Sequence, residues 1–173
     1  DTLDPYLDYR CYNNIGFLSF PTQEAADALR EETLAAGDVF WWYGTGCYTN
    51  RSFIQDGNVI ANRFMAGYHF WRTGATGCWS WTFLRPKGDA YDDFDGQTQR
   101  EHKDACIAYP TPDGKGLVST LQWEGLREGI DDYKYLYVLG KRMANARKSD
   151  APNRKALADR LEQELHTLLA GMA

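Results

Sequence analysis

Alternating and clustered apolar residues predict three β-strands along the first half of the chain. Residues 7–13 alternate and end in an Asn pair, like a strand that runs into a loop. Residues 39–43 form a short apolar run beside Gly44, which is typical of a buried strand. Residues 77–83 alternate strictly and carry Trp79 and Trp81 on the same side. We therefore expect a third strand with two chemically different faces.

Helical spacing of apolar residues predicts a helix after each of the first two strands. Pro21 and Thr22 open the first helix, with Thr22 as the candidate N-cap, and Gly37 is its candidate terminator. The second helix is predicted over residues 59–72, where the apolar stripe comprises Ile60, Phe64, Tyr68 and Trp71.

Two further helices are predicted at the C-terminal end. Residues 119–122 have the S-x-x-Q pattern of a capping box and begin a long helix that ends near Lys148. Its predicted inner stripe is Leu126, Ile130, Tyr133 and Tyr137. Asp150 and Pro152 open the last helix, whose predicted inner face is Leu157, Leu161, Leu165 and Leu168.

The order of these elements predicts an α/β fold with parallel strands and crossover helices. Three strands cannot close an eight-stranded barrel, so the sheet is either small and open or a piece of a larger one. Between the third strand and the long helix lies an irregular stretch, residues 84–106, that is rich in Asp and Gly. Connections of this length are usually functional or mobile.

Aromatic and amide residues follow the predicted strands at their C-terminal ends, where parallel α/β sheets bind ligands. Asn13, Trp42, Tyr43 and Trp81 fall there, and at least two of the three aromatic residues are expected to contact a ligand. Aromatic rings stack on the apolar faces of sugars, while amides and phenols hydrogen-bond the hydroxyls. A hydrophobic core rich in tryptophan is the alternative interpretation.

Charge and cysteine spacing exclude several classes of function. A net charge of −5 without a basic stripe disfavours nucleic acid, and no segment is long or amphipathic enough to indicate a membrane. The four cysteines are far apart and form no C-x-x-C pair, which favours buried thiols over one disulfide and argues against a zinc site. The three histidines are isolated, so no metal is expected.

Two clusters of charged residues are interpreted as structural. The acidic loop does not match the spacing of a calcium-binding EF-hand, so we expect it to be solvated; it contains Asp89, Asp92, Asp93 and Asp95. The long helix carries charges at three- and four-residue spacing, and these are expected to form ion pairs that hold the last helix to the domain rather than a pair of catalytic carboxylates; they are Glu124, Arg127, Glu128, Asp131 and Asp132.

Several strings together resemble the end of the catalytic domain of glycoside hydrolase family 123 and its uncharacterised relatives. They are Asp-Val-Phe-Trp-Trp-Tyr-Gly at 38–44, Asn-Arg-Phe at 62–64, Trp71, Gly-Ala-Thr-Gly-Cys-Trp-Ser-Trp at 74–81, Tyr-Pro at 109–110 and Leu-Arg-Glu-Gly-Ile-Asp-Asp-Tyr-Lys-Tyr-Leu at 126–136. The resemblance covers roughly residues 7–143. The Arg-Glu-Gly-Ile-Asp-Asp-Tyr string is its most specific part.

The resemblance implies a (β/α)₈ barrel, of which this chain supplies the C-terminal portion: about three parallel strands with helices and a two-helix tail. It implies hydrolysis of N-acetylhexosaminides, with β-N-acetylgalactosaminides as the expected substrates, by retaining, substrate-assisted catalysis without a cofactor. The family uses an adjacent Asp-Glu pair on an earlier strand, and this dipeptide is absent from the chain. We therefore expect the pair upstream of Asp1 and expect the chain alone to be inactive.

The chain is accordingly predicted to be a fragment, with residues 1–148 in the barrel and residues 149–173 as a helix packed on it. Its expected partners are a carbohydrate, the rest of the barrel and, where that is missing, a second copy of the chain. An extracellular or periplasmic parent protein is compatible with the sequence. Two alternatives stay open: a non-catalytic carbohydrate-binding or scaffold domain, and a freestanding α/β protein with another small-molecule ligand.

Overall fold

Three parallel strands form the central sheet. A computed structural model describes residues 6–13, 23–45, 59–81, 83–85, 88–92 and 105–170. Strands β1 (Tyr9–Asn13), β2 (Val39–Thr45) and β3 (Gly77–Trp81) pair side by side in chain order, all parallel. The prediction of three parallel neighbours is confirmed.

Helix α1 (Gln23–Ala35) connects β1 to β2. Its predicted N-cap, Thr22, lies outside the described residues. Its predicted terminator is confirmed, because Gly37 has a φ of 86° and its N–H donates to the Leu34 carbonyl. The chain then turns directly into β2, where the N–H of Val39 donates to the carbonyl of Asp8 at the start of β1.

The second connection is helical throughout but not uniformly α-helical. It comprises α2 (Val59–Phe64), a π-helical turn (Met65–His69) and α3 (Phe70–Thr73). Gly74 ends it with a φ of 66°. One regular helix over 59–72 was expected, and the π-helical turn is the departure. Such turns place an extra residue in the helix and often accompany functional sites.

Two long helices close the chain, α4 (Leu121–Arg147) and α5 (Pro152–Ala170). The N-cap of α4 is Thr120, whose side chain accepts a hydrogen bond from the N–H of Trp123. The predicted capping box on Ser119 is therefore wrong by one residue, because Ser119 is the last residue of a strand.

The core lies between the sheet and the helices α2 to α4. Phe40 and Trp42 of β2 are each only 1% exposed and pack with Met65, Ala75 and Ile107. Phe40 and Trp42 project from one side of the sheet and Met65 from the π-helical turn, while Ala75 precedes β3 and Ile107 lies in the segment between β3 and α4. No helix in the described part of the chain is long and apolar enough to cross a membrane.

Glycine, rather than the predicted apolar stripe, brings α4 against α2. Ile130 and Tyr137 of that stripe are 49% and 44% exposed. The buried positions of α4 include Gly125 and Gly129, and a Cβ built on Gly129 would lie 2.4 Å from the carbonyl oxygen of Arg63. The stripe is right at Leu126, which packs against the core, and at Tyr133, which contacts Phe70 and Trp71. Hydrophobicity could not register the contacts that the glycine backbone makes.

Helices α2 and α4 run in the same direction. Gly125 lies against Val59, Gly129 against Arg63, and further along Gly140 lies against Trp71. Successive crossover helices that run parallel to one another are what a continuing βαβ arrangement requires.

In the described part of the chain, four short strands follow β3, where the sequence predicted none. They pair antiparallel as β4 (Leu84–Arg85) with β5 (Ala105–Cys106), and as β6 (Ala108–Pro110) with β7 (Leu117–Ser119). We call residues 83–119, as far as the structure describes them, the insert.

Candidate functional site

The pleat of the sheet separates two faces of different character. One face packs on the helices and holds Phe40 and Trp42. The other, which we call the open face, carries side chains that no described helix covers: Tyr9, Cys11, Trp41, Tyr43 and Trp79. Tyr9 is 56% and Trp79 is 59% exposed. Large aromatic surface in contact with solvent marks an interaction site more often than a solitary apolar residue does.

Strand register aligns three residues in one row across the open face. Asn13 pairs with Tyr43, and Tyr43 pairs with Trp79. Trp81 pairs with Thr45, one pleat nearer the C-terminal edge and on the same face by its even spacing from Trp79. The side chains of Asn13 and Trp81 lie outside the described part of the structure. By register, three of the four predicted ligand contacts share this face: Asn13, Tyr43 and Trp81.

Trp42, the fourth predicted contact, projects to the opposite face. Its indole lies in the core, edge-on to His69 and Phe70 with ring centroids 6.0 and 6.1 Å away. Its neighbour Tyr43 lies on the open face, because successive side chains of a strand point to opposite faces of the sheet. A sugar contact by Trp42 stays a prediction, and in the described structure this side chain packs in the core.

A series of three aromatic rings, Tyr9, Trp41 and Trp79, runs diagonally across the open face and meets the Asn13–Tyr43–Trp79 row at Trp79. The rings of Tyr9 and Trp41 lie 5.0 Å apart, and those of Trp41 and Trp79 lie 6.0 Å apart. The Trp41 indole donates to the Thr76 hydroxyl at 3.2 Å and lies across Gly77, where a Cβ would be 2.5 Å from the ring. Glycine at position 77 is therefore what leaves room for this ring.

Trp41 and Trp79 were not among the predicted site residues. The strict alternation of residues 77–83 already placed Trp79 on the side of Trp81. The register between the strands, which places Trp79 level with Tyr43, could not be predicted from the sequence. Trp41 was not predicted as a site residue, because a continuous apolar run does not show which of its residues face outward.

The described open face is aromatic and uncharged. The ion pair nearest to it along the strands, Arg10 with Asp38, is buried on the helix-facing side. Cys11 is exposed on the open face, so the expectation of a buried thiol is wrong there. The protein atoms around its sulfur still displace some water, and this desolvation raises the pKa of the thiol. Among the described residues, no three His, Cys, Asp or Glu side chains are placed to hold a metal ion.

His69, a buried titratable group, lies behind Trp42. It sits in the π-helical turn, is 6% exposed and contacts the ring of Phe64. Burial, with a smaller contribution from the charge of Arg72, lowers the pKa of His69 to about 4. The imidazole is therefore neutral at physiological pH and belongs to the core that supports the site.

The charged cluster of α4 does not hold the last helix. Arg127 bonds Glu124 and Glu128 of its own helix and is 55% exposed. Arg147 makes the connection instead, by pairing with Asp159 and Glu162 of α5. Within the cluster, Asp132 pairs with Arg63 of α2 and so joins α4 to the domain, while the connection to α5 is made by an arginine outside the cluster.

The acidic loop is described only in part. The Asp89 carboxylate accepts the N–H of Tyr91 at 2.9 Å, and the Asp89 carbonyl accepts the N–H of Asp92. Asp93, Asp95 and His102 lie outside the described residues. The described part of the loop is thus a local turn that presents Tyr91 to solvent.

The insert joins the end of β3 to the start of α4 and is anchored to the core. The N–H of Ile107 donates to the Phe83 carbonyl at 2.8 Å, and Ile107 itself is 4% exposed. The Thr120 hydroxyl donates to the Ile107 carbonyl while it also caps α4. Phe83 packs edge-on against Trp123 at 5.4 Å. These contacts hold the insert at the C-terminal edge of the sheet, beside the predicted ligand site.

A family model described as "Glycoside hydrolase 123, catalytic domain" matches residues 8–139, which is more than half of the chain. The match contains the three parallel strands, the helices between them, the insert and the first two-thirds of α4. A search of curated proteins finds no match to this chain.

Proposed function

Because the chain belongs to the glycoside hydrolase 123 family, we propose that it is part of an enzyme that hydrolyses N-acetylhexosaminides, with β-N-acetylgalactosaminides as the first choice of substrate. Membership of the family implies a glycoside hydrolase-like function for the domain. The proposal goes further in naming the sugar and the mechanism. The observation that carries it is the row of Asn13, Tyr43 and Trp79 on an otherwise uncovered sheet face.

The proposed chemistry is retaining and substrate-assisted. The acetamido oxygen of the substrate attacks the anomeric carbon as the glycosidic bond breaks, and a carboxylic acid protonates the departing oxygen. A bicyclic intermediate forms, and water then opens it at the anomeric carbon with retained configuration. The required nucleophile comes from the substrate, so the protein must position the acetamide and supply the acid.

In this scheme the chain provides one wall of the sugar pocket. Residues 13 and 43 pair at one level of the sheet. The Tyr43 phenol and the Asn13 amide would hydrogen-bond polar groups of the sugar, and tryptophan at 79 and 81 would supply apolar surface for a ring face or the acetamide methyl group. The described residues of the open face include no carboxylate. We therefore propose that the acid belongs to an Asp-Glu pair on a strand that precedes β1.

The same proposal places β1, β2 and β3 as the last strands of a (β/α)₈ barrel. Three features support it: β1, β2 and β3 are parallel, α2 and α4 run in the same direction, and β1 and β3 have no further pairing partner among the described strands. In a closed barrel the open face would point inward, where the remaining strands cover it. Without them, a second copy of the chain is the proposed cover.

The aromatic character of the open face also favours a second candidate, a non-catalytic carbohydrate-binding domain. Aromatic rows bind sugars without any acid, and the described face carries none. The two candidates differ in a single prediction, which is whether an acid is brought to the face by another part of the protein.

Hydrolysis of an aryl N-acetyl-β-galactosaminide separates the two. We expect the 173-residue chain to show no turnover above the buffer rate, and the full-length protein to show turnover that is lost when the acid of its Asp-Glu pair is replaced by the amide. Turnover by the chain that disappears on mutating one of its own residues would refute the placement of the acid. A full-length protein that binds the sugar without hydrolysing it would establish the binding domain.

A further inference from the structure

An exposed tyrosine pair stands on the insert, apart from the sheet. The ring centroids of Tyr91 and Tyr109 lie 5.4 Å apart, and their planes differ by only 24°. Tyr91 is 54% exposed, although one face of its ring is covered by Tyr109. The solvent-accessible surface of Tyr91 is therefore mainly the opposite ring face and the ring edge, which together form a flat apolar platform.

The platform is fixed in orientation from both ends. The Tyr91 hydroxyl donates to the carbonyl of Pro110, and its backbone N–H donates to the Asp89 carboxylate. Tyr109 is held in β6, where it pairs with Val118 of β7. A freely rotating surface tyrosine loses rotamer entropy when it binds a ligand, and this one has already lost most of that freedom.

Topology places the pair on the ligand side of the sheet. The insert leaves the C-terminal end of β3 and returns to the N-terminal end of α4, so it lies at the edge where β1 and β2 also end. The buried Ile107 and the Thr120 cap hold it there. In parallel α/β folds, connections at this edge carry the contacts that extend a binding site outward.

We propose that Tyr91, backed by Tyr109, binds an additional sugar ring of an oligosaccharide whose terminal N-acetylhexosamine occupies the open face. This inference rests on the proposed function and adds a preference for chains over single sugars. The apolar face of a pyranose ring stacks on the outer face of Tyr91, and ring hydroxyls at its rim stay in water. The Tyr91 hydroxyl is committed to Pro110 and takes no part in recognition.

Binding of single and extended sugars to the full-length protein tests the proposal. The ligands are N-acetylgalactosamine and N-acetylglucosamine, and β-linked di- and trisaccharides that end in either. We expect the best extended ligand to bind about five- to tenfold more tightly than the single sugar, the range expected for one added aromatic contact. Replacing Tyr91 by alanine should remove this gain and leave single-sugar affinity unchanged.

Tyr135→Ala is the matched control, because Tyr135 is 78% exposed on α4 and away from the insert. Circular dichroism and the melting temperature establish that each variant folds, and Tyr91→Trp, which keeps a flat ring, should retain the gain. Saturation-transfer NMR on protein with labelled tyrosine reports contact at position 91 directly.

The inference is overturned if no extended ligand binds more tightly than the single sugar, or if Tyr91→Ala keeps the full gain. The proposed function has its own readout, which is whether hydrolysis of the aryl monosaccharide is lost when the acid of the Asp-Glu pair is replaced by the amide, and this readout is scored on the acid and not on Tyr91. Unchanged hydrolysis without an oligosaccharide preference therefore rejects the platform alone. A platform signal without hydrolysis rejects the enzyme and keeps the platform in the sugar-binding alternative.

Discussion

Gly67 and Gly129 face each other where the π-helical turn meets α4. A Cβ built on Gly67 would lie 2.8 Å from the carbonyl oxygen of Gly129, and one built on Gly129 would lie 2.8 Å from the Ala66 Cβ. Backbone thus meets backbone at this interface, and neither helix has room for a methyl group. Leu126 of α4 and Met65 of the π-helical turn both pack in the core that contains Trp42. The close contact between the two helices therefore fixes how near α4 lies to this core.

Gly129→Ala should lower stability despite the better helix propensity of alanine. Overpacking against the Arg63 carbonyl outweighs the gain of up to about 1 kcal/mol from propensity, and we expect a net loss of roughly 2 kcal/mol. Thermal unfolding should then show a midpoint roughly 4–8 °C lower. Gly140→Ala is the control, since the methyl there meets the ring edge of Trp71, a side chain that can shift. Equal effects of the two substitutions would contradict this account.

Acid should destabilise the fold through His69. Its pKa is about 4 in the folded state and about 6.5 when exposed, so the unfolded chain binds the extra proton between these values. Stability is therefore full above pH 6.5 and falls, by about 2–3 kcal/mol, as the pH drops toward 4.

Urea unfolding at pH 7 and at pH 4.5 measures this loss. In His69→Gln the difference between the two pH values should shrink, whereas in His166→Gln, a substitution on the exposed side of α5, it should persist. If the His69 variant kept the whole pH difference, other groups would have to carry it.

Two arginines of α4 should respond differently to removal. Arg127→Ala breaks only pairs within an exposed helix surface, so we expect a melting temperature within about 2 °C of the wild type. Arg147→Ala disconnects Asp159 and Glu162 and should speed amide hydrogen exchange in α5 while exchange in β2 stays unchanged. Loss of sugar binding in Arg127→Ala without a change in melting temperature would instead make Arg127 part of the site.

Trp81 is expected to report sugar binding in the full-length protein. It lies one pleat beyond Trp79 toward the edge where ligands enter. Titration with N-acetylgalactosamine should change the intrinsic fluorescence, and Trp81→Phe should remove much of that change and weaken binding. Trp71→Phe is a suitable control, since Trp71 lies on α3 and contacts Tyr133 and Gly140 of α4. A full signal in Trp81→Phe would exclude Trp81 from the pocket and direct attention to Trp79.

The periodicity of apolar residues was sufficient to predict the main helices and strands. It could not predict contacts made by the backbone of glycine, or strands that are too short to show a repeat. The three strands and four helical regions follow from patterns several residues long, and the parallel pairing follows from the intervening helices. The backbone contacts on the inner face of α4 were missed because Gly125 and Gly129 carry no hydrophobic signal. The strands β4 to β7 have two or three residues each, too few to show alternation.

The sequence predicted candidate site residues but not their arrangement. Tyr43 and Asn13 were chosen for their position at strand ends, and register then placed Trp79 level with them. Register depends on how whole strands pack against helices, which no single strand encodes. For the same reason the sequence could not decide that Trp42 turns toward the helices while Trp41 turns away.

The hydroxyl of Thr120 serves the insert and the long helix at once, since it donates to the Ile107 carbonyl and accepts the N–H of Trp123. The hairpin formed by β6 and β7 therefore closes at its base on the same side chain that begins α4. Changes within this hairpin that spare Thr120 leave the first turn of α4 capped, whereas loss of the Thr120 hydroxyl would release the hairpin base and the helix start together.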